Sequence, residues 1–309
     1  MSPTPLSLAL FWVAVVAYLV ALLAFVVAYA WRRRVIADAG LAAVMLGWPF
    51  HLGSIMARAF ESGHWPLGNM YEYSTAISFI MVTTFLVLAL RARIRLVGIP
   101  AMVVAIALLG VAYMLYVPPG NLVPALHSYW LTIHVTSMAT ASGILTFSFL
   151  FGMFYLARHW ADERVARGST RAPAVTAGGT PVSVGGGASG GSRSLALARG
   201  MVRVLPQART LDDWSYRFVM LGFPIWSFGV ICGAIWGEHA WGRYWGWDPK
   251  ETFAFITWVV FAIYLHARVT YGWREVRAAA ITVVGFASIL FTLYAVNLWI
   301  AGLHSYAKA

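Results

Sequence analysis

The run Trp241-Gly242-Arg243-Tyr244-Trp245-Gly246-Trp247-Asp248-Pro249-Lys250-Glu251 puts three Trp and one Tyr within seven residues, with charges of both signs beside them. A single Trp finishes a core or marks a membrane interface. Several rings spaced by glycine instead suggest a flat aromatic shelf that faces a large planar ligand. Arg243 and Lys250 flank the shelf, and both could meet carboxylates on such a ligand through charge-assisted hydrogen bonds. Arg58 is a third candidate for that role, and interfacial snorkelling is the competing explanation for all three. Asp248 to Glu251 also has a plain structural reading. Asp at N-cap, Pro at N1 and Glu at N3 start a helix with a capping box.

The chain that must position these groups is 61% hydrophobic and 11% charged over 309 residues. A soluble domain carries about 25% charged residues. Repeated apolar runs of helix-spanning length indicate an all-α, polytopic integral membrane protein. No alternation suggests a barrel. The single Cys, Cys232, excludes an internal disulfide and any Cys-x-x-Cys motif. The chain is therefore neither a thiol relay nor itself a c-type cytochrome.

About eight transmembrane helices are expected, with the first five in residues 1–157 and the last three in 218–309. Residues 158–217 change composition. Their centre, Gly178 to Ser192, is almost entirely small residues and reads as a disordered Gly/Ser-rich linker. The Trp-rich loop, 238–250, falls between the sixth and seventh helices. All but four of the 22 Lys/Arg lie in loops that would share one side of an eight-helix bundle. Arg58, Arg243, Lys250 and Lys308 are the exceptions. The net charge of +11 thus encodes orientation in the lipid bilayer and gives no nucleic-acid signal. Basic loops in the cytoplasm put both termini and the Trp-rich loop on the extracytoplasmic face.

The aromatic run, continued by Thr257-Trp258 and Leu265-His266, resembles the tryptophan-rich signature of haem-handling proteins of cytochrome c maturation. It is most similar to the CcsA/ResC family of the system II pathway. The likeness extends to Gly63-His64-Trp65-Pro66-Leu67-Gly68-Asn69-Met70-Tyr71-Glu72, to Ser128-Tyr129-Trp130-Leu131-x-x-His134 and to Gly302-Leu303-His304-Ser305-Tyr306. Two departures stand out: Tyr73 where the family has Ser, and the long Gly/Ser insertion. The resemblance implies delivery of haem b, as transported ligand and substrate, across the bacterial plasma membrane. It also implies attachment of that haem to the Cys-x-x-Cys-His thiols of an apocytochrome c. Holocytochrome c synthase activity would belong to the complex with a ResB-type membrane subunit, with thiol reductant proteins acting indirectly.

By topology, His134 and His304 lie at the height of the Trp-rich loop. Two imidazoles beside an aromatic shelf are what axial ligation of haem iron requires, and the resemblance implies that role for both. His266 lies about 22 Å deeper along its helix. The resemblance implies that it holds haem on the way in, paired with a His of the partner. Trp241, Tyr244, Trp245, Trp247 and Asp248, with Arg243 and Lys250, complete the expected binding set. His51 reads as packing or ligand, and His64 as a loop residue that could line the site. Two rivals remain: a haem permease with no attachment role, and a bis-His electron-transfer subunit of a respiratory complex.

Overall fold

The computed structural model describes residues 4–92, 97–122, 126–169, 188–300 and 302–303, and these are helical with no strand. The order is α1 (Leu6–Trp31), α2 (Arg34–Ser62), α3 (Met70–Arg91), α4 (Gly98–Met114), α5 (Tyr129–Ser169) and α6 (Ala188–Val204). There follow α7 (Ala208–Trp241), α8 (Pro249–Thr270), α9 (Glu275–Leu290), a π-helical turn (Phe291–Ala295) and α10 (Val296–Trp299). Seven stretches are long and apolar enough to cross a membrane: α1, α2, α3, α5, α7, α8 and the continuous stretch Glu275–Trp299. The 17-residue α4 is a shorter apolar helix at the lower limit of a span. Counting it as a crossing gives the expected eight. The chain is a multi-pass α-helical membrane protein.

Local chemistry sets the helix ends. The Asp248–Glu251 capping box is present, with Pro249 at N1. Asn69 is the N-cap of α3, its Oδ1 accepting from the Glu72 N–H at 3.0 Å. At Gly242 the backbone turns left-handed (φ 70), which ends α7 and starts the Trp-rich loop.

Packing is densest between α5 and α7 and between α1 and α2. Two buried ion pairs lie within the bundle. Arg58 Nε donates to Glu72 Oε1 at 2.9 Å, and Arg268 grips Asp212 through two bonds of 2.7 Å. Charges in such places are paired because an isolated one is too costly.

Helix reaches further into 158–217 than the composition suggests. α5 continues to Ser169, α6 occupies Ala188–Val204, and α7 starts at Ala208, leaving 170–187 outside the described residues. The physical reason is local pairing that the Gly/Ser count hides. Arg158 is bound to Asp162 one turn on, and Arg167 to Glu163. Arg158 Nη1 also donates to the carbonyls of Val202, Leu205 and Pro206 at 2.6–3.1 Å, which fixes the end of α6 to α5.

Candidate functional site

The α5–α7 contact creates the centre of the site. Gly233 of α7 lies so close to α5 that a Cβ there would come within 2.6 Å of His134 Nδ1. One turn earlier, the Gly229 carbonyl accepts from His134 Nδ1 at 2.7 Å. A carbonyl only accepts, so Nδ1 carries the proton and Nε2 keeps its lone pair. Among the described residues Nε2 has no hydrogen-bond partner. The Trp236 ring lies nearly parallel to the imidazole, 6.3 Å between centroids and 13° between planes. Together these contacts fix one tautomer in one orientation.

His134 lines a cavity with about 1100 Å³ of empty space, part of it open to the outside. Tyr244, Trp245 and Lys250 come to it from the Trp-rich loop and the start of α8, and Asn297 from beyond the π turn. Lys250 Nζ donates to Asn297 Oδ1 at 3.0 Å, so the cation is held at the cavity wall. The π turn carries Thr292 and Leu293 onto the same wall. Such bulges widen a helix locally and are common at functional sites.

The loop divides its aromatic residues. Trp245 lines the cavity. Trp241 packs inward on Trp236, at 4.8 Å between centroids. Trp247 is 64% exposed, does not line the cavity, and sits edge-on to Trp245 and Phe255. Its backbone is left-handed (φ 57), a costly conformation for so large a side chain. Glu251 holds it there: its Oε2 accepts from the N–H groups on either side, Gly246 at 2.8 Å and Asp248 at 3.1 Å. The exposed Arg243 folds its guanidinium over Gly246.

Asp248 does more than cap α8. It is 7% exposed, and its Oδ1 accepts from the Leu303 N–H at 2.8 Å. A Cβ on Gly302 would touch the same carboxylate at 2.7 Å. The residue just before His304 is thus tied to the Trp-rich loop. His304 itself lies outside the described residues.

His266 is elsewhere. It lies near the far end of α8, about 24 Å along the axis from Lys250, and it is exposed. Its Nδ1 is 3.5 Å from Thr270 Oγ1 and its ring meets Tyr271 edge-on. His64 does not line the cavity, since its two nitrogens meet the carbonyls of Trp65 (2.8 Å) and Gly120 (3.0 Å). His51 is fully buried beside Tyr18, also away from the cavity. Arg58 corrects an expectation. It is 2% exposed, bound to Glu72 and to the Val117 carbonyl at 2.7 Å, so it does not meet an external ligand. Glu72 in turn accepts from the Gly68 N–H at 2.9 Å, so the pair braces the cavity wall at Leu67–Met70.

Sequence reading missed Trp236, Asn297 and the Gly229–Gly233 approach. Asn297 was the findable one, a lone amide in the last apolar run.

The apolar bundle thus presents a fixed imidazole, an aromatic wall and a lysine to one cavity. Residues 67–304 match the family model for the cytochrome C assembly protein. The cytochrome c biogenesis protein CcsA of Gloeobacter violaceus is 37% identical over 276 residues, covering 82% of each chain. That of Synechococcus elongatus is 36% identical over 288 residues, with 88% of this chain and 87% of the relative covered. The chain belongs to the cytochrome c assembly family, of the CcsA kind, and acts in cytochrome c biogenesis.

Proposed function

We propose that the cavity holds haem b as a substrate for attachment to apocytochrome c, with His134 as one axial ligand. One observation carries the reading: Nδ1 of His134 is committed to the Gly229 carbonyl, so the Nε2 lone pair is left free on the wall of a cavity that the Trp-rich loop also lines. His304 is the second axial ligand, and the Leu303–Asp248 bond supports it by tying the preceding residue to the loop. Tyr244 and Trp245 give the macrocycle its apolar wall. Lys250 meets a propionate, and Arg243 meets the other at the open rim. Trp241 and Asp248 support the loop, while Trp247 on its outer side meets the arriving apocytochrome.

His266, exposed near the opposite end of the bundle, receives haem on its way in together with a His of a ResB-type subunit. The arginine-rich end is cytoplasmic and both termini are extracytoplasmic, in a bacterial plasma membrane. The thiols of the Cys-x-x-Cys-His segment carry the chemistry, kept reduced by thiol reductant proteins. The chain contributes binding and orientation.

The test is reconstitution of the complex with haem and an apocytochrome, scored by covalent haem staining and by the optical spectrum of bound haem. His134→Ala and His304→Ala should each abolish the bis-His spectrum and the staining. Normal levels of both would sink the assignment. Haem transport without any staining in the wild type would favour a permease.

A further inference from the structure

We propose that a second cavity, at the arginine-rich end of the bundle, binds the phosphate group of an anionic phospholipid. The turn between α1 and α2 is Arg32-Arg33, and Arg32 adopts the left-handed conformation (φ 52). This sharp reversal gathers three consecutive arginines at one place. A hollow, largely open to its surroundings, lies between this turn, the start of α4 and the end of α6. Arg32, Arg33, Arg34 and Arg203 line it.

Several features call for an anion there. Among the described residues, no carboxylate lies within ion-pair distance of any of the four guanidiniums. All four are exposed, and four like charges around one open hollow create a positive potential that attracts an anion. The 29-residue α2 also begins at this point, and its N-cap Arg33 makes no side-chain cap. The first-turn N–H groups and the positive end of its dipole are therefore available where Arg34 and Ala37 line the cavity.

The remaining wall distinguishes a lipid from a free ion. Phe25, Tyr29 and Ile99 line it, offering apolar surface to an acyl chain below the charged rim. Arginine-rimmed pockets between membrane helices suit such headgroups. Arg203 belongs to α6, whose end Arg158 fixes to α5. A phosphate bridging Arg203 to Arg32–Arg34 would pin α6 to the first two helices as well.

The experiment is native mass spectrometry of the full chain in detergent, titrated with diphosphatidylglycerol, phosphatidylcholine or inorganic phosphate. Wild type should retain diphosphatidylglycerol. Arg34→Gln and Arg203→Gln should each weaken retention about fivefold, while Arg274→Gln with Arg277→Gln, at the turn between α8 and α9, should change nothing. Ala37→Phe fills the cavity and keeps every charge, so insertion of the chain is unaffected; it should lose the lipid too. Equal retention of phosphatidylcholine, or retention unchanged in both Arg203→Gln and Ala37→Phe, overturns the site. If inorganic phosphate at the same concentration competes diphosphatidylglycerol away completely, the anion site stands and the lipid assignment falls.

Discussion

His134 and His266 lie near opposite ends of the bundle, and their surroundings differ at every level. His134 has a protonated Nδ1 bound to a backbone carbonyl of another helix, a parallel Trp236 and a cavity beside it. His266 lies exposed on α8, and its contacts, Thr270 and Tyr271, are within five residues of it. One imidazole is oriented by its own chain. The other has only local neighbours to orient it, as expected of half a site that a second subunit completes. Metal sites depend on such outer partners for tautomer and orientation. The first histidine should therefore bind in the isolated chain, and the second only in the complex.

The comparison breaks most directly on haem content. His134→Ala should empty the site beside the Trp-rich loop whether or not the partner is present. His266→Ala should lower co-purified haem only when the partner is present, measured by the optical spectrum of each preparation. Identical losses from both variants in the isolated chain would remove the distinction.

A subtler break keeps His134 and disturbs its orientation. Gly233→Ala sets a methyl carbon within 2.6 Å of Nδ1, so the imidazole must leave the Gly229 carbonyl. Loss of such a partner weakens metal binding by roughly 10–100-fold. Haem titration of the variant checks this, and unchanged affinity would show that the tautomer is not what matters.

Much of the architecture was legible because membrane helices announce themselves by length and their ends by capping residues. The Asp248–Glu251 start of α8 was read residue by residue. His134 and the Trp-rich loop were legible as types in a pattern. What stayed hidden depends on contacts across helices. Nothing in the spacing of Arg58 and Glu72 reveals that they pair inside the bundle. The carbonyl of Gly229 leaves no signature at all, since every residue has one. The α6 helix was hidden by composition, because its Arg and Leu residues adjoin a stretch of glycine and serine.

The His266 end of the bundle holds a contrast of its own. Beside the exposed His266, Arg268 and Asp212 form a buried two-bond pair, with side chains 6% and 8% exposed. Asp212→Asn leaves the guanidinium only the half-exposed Asp213, 3.8 Å away, and should cost about 3 kcal/mol of stability, the low end for breaking a buried pair. Yet it touches no group of the His134 cavity. Thermal unfolding should fall while the spectrum of haem in that cavity stays intact in the surviving protein. A lost spectrum in folded protein would mean that the two ends are coupled.

The smallest effect separates two tryptophans of one loop. Trp245 lines the cavity and Trp247 does not, although the rings are 5.8 Å apart. Trp245→Ala removes a wall and should lower haem affinity. Trp247→Ala leaves the wall in place, and haem should bind nearly as in the wild type. Trp247→Gly goes further: glycine accepts φ 57 without cost, so the strain held by Glu251 disappears and the loop should gain about 1 kcal/mol. Under the proposed function the exposed Trp247 meets the arriving apocytochrome. Both Trp247 variants should therefore bind haem and stain apocytochrome poorly. If haem binding falls as far in Trp247→Ala as in Trp245→Ala, the two rings form one shelf and the division of the loop is wrong.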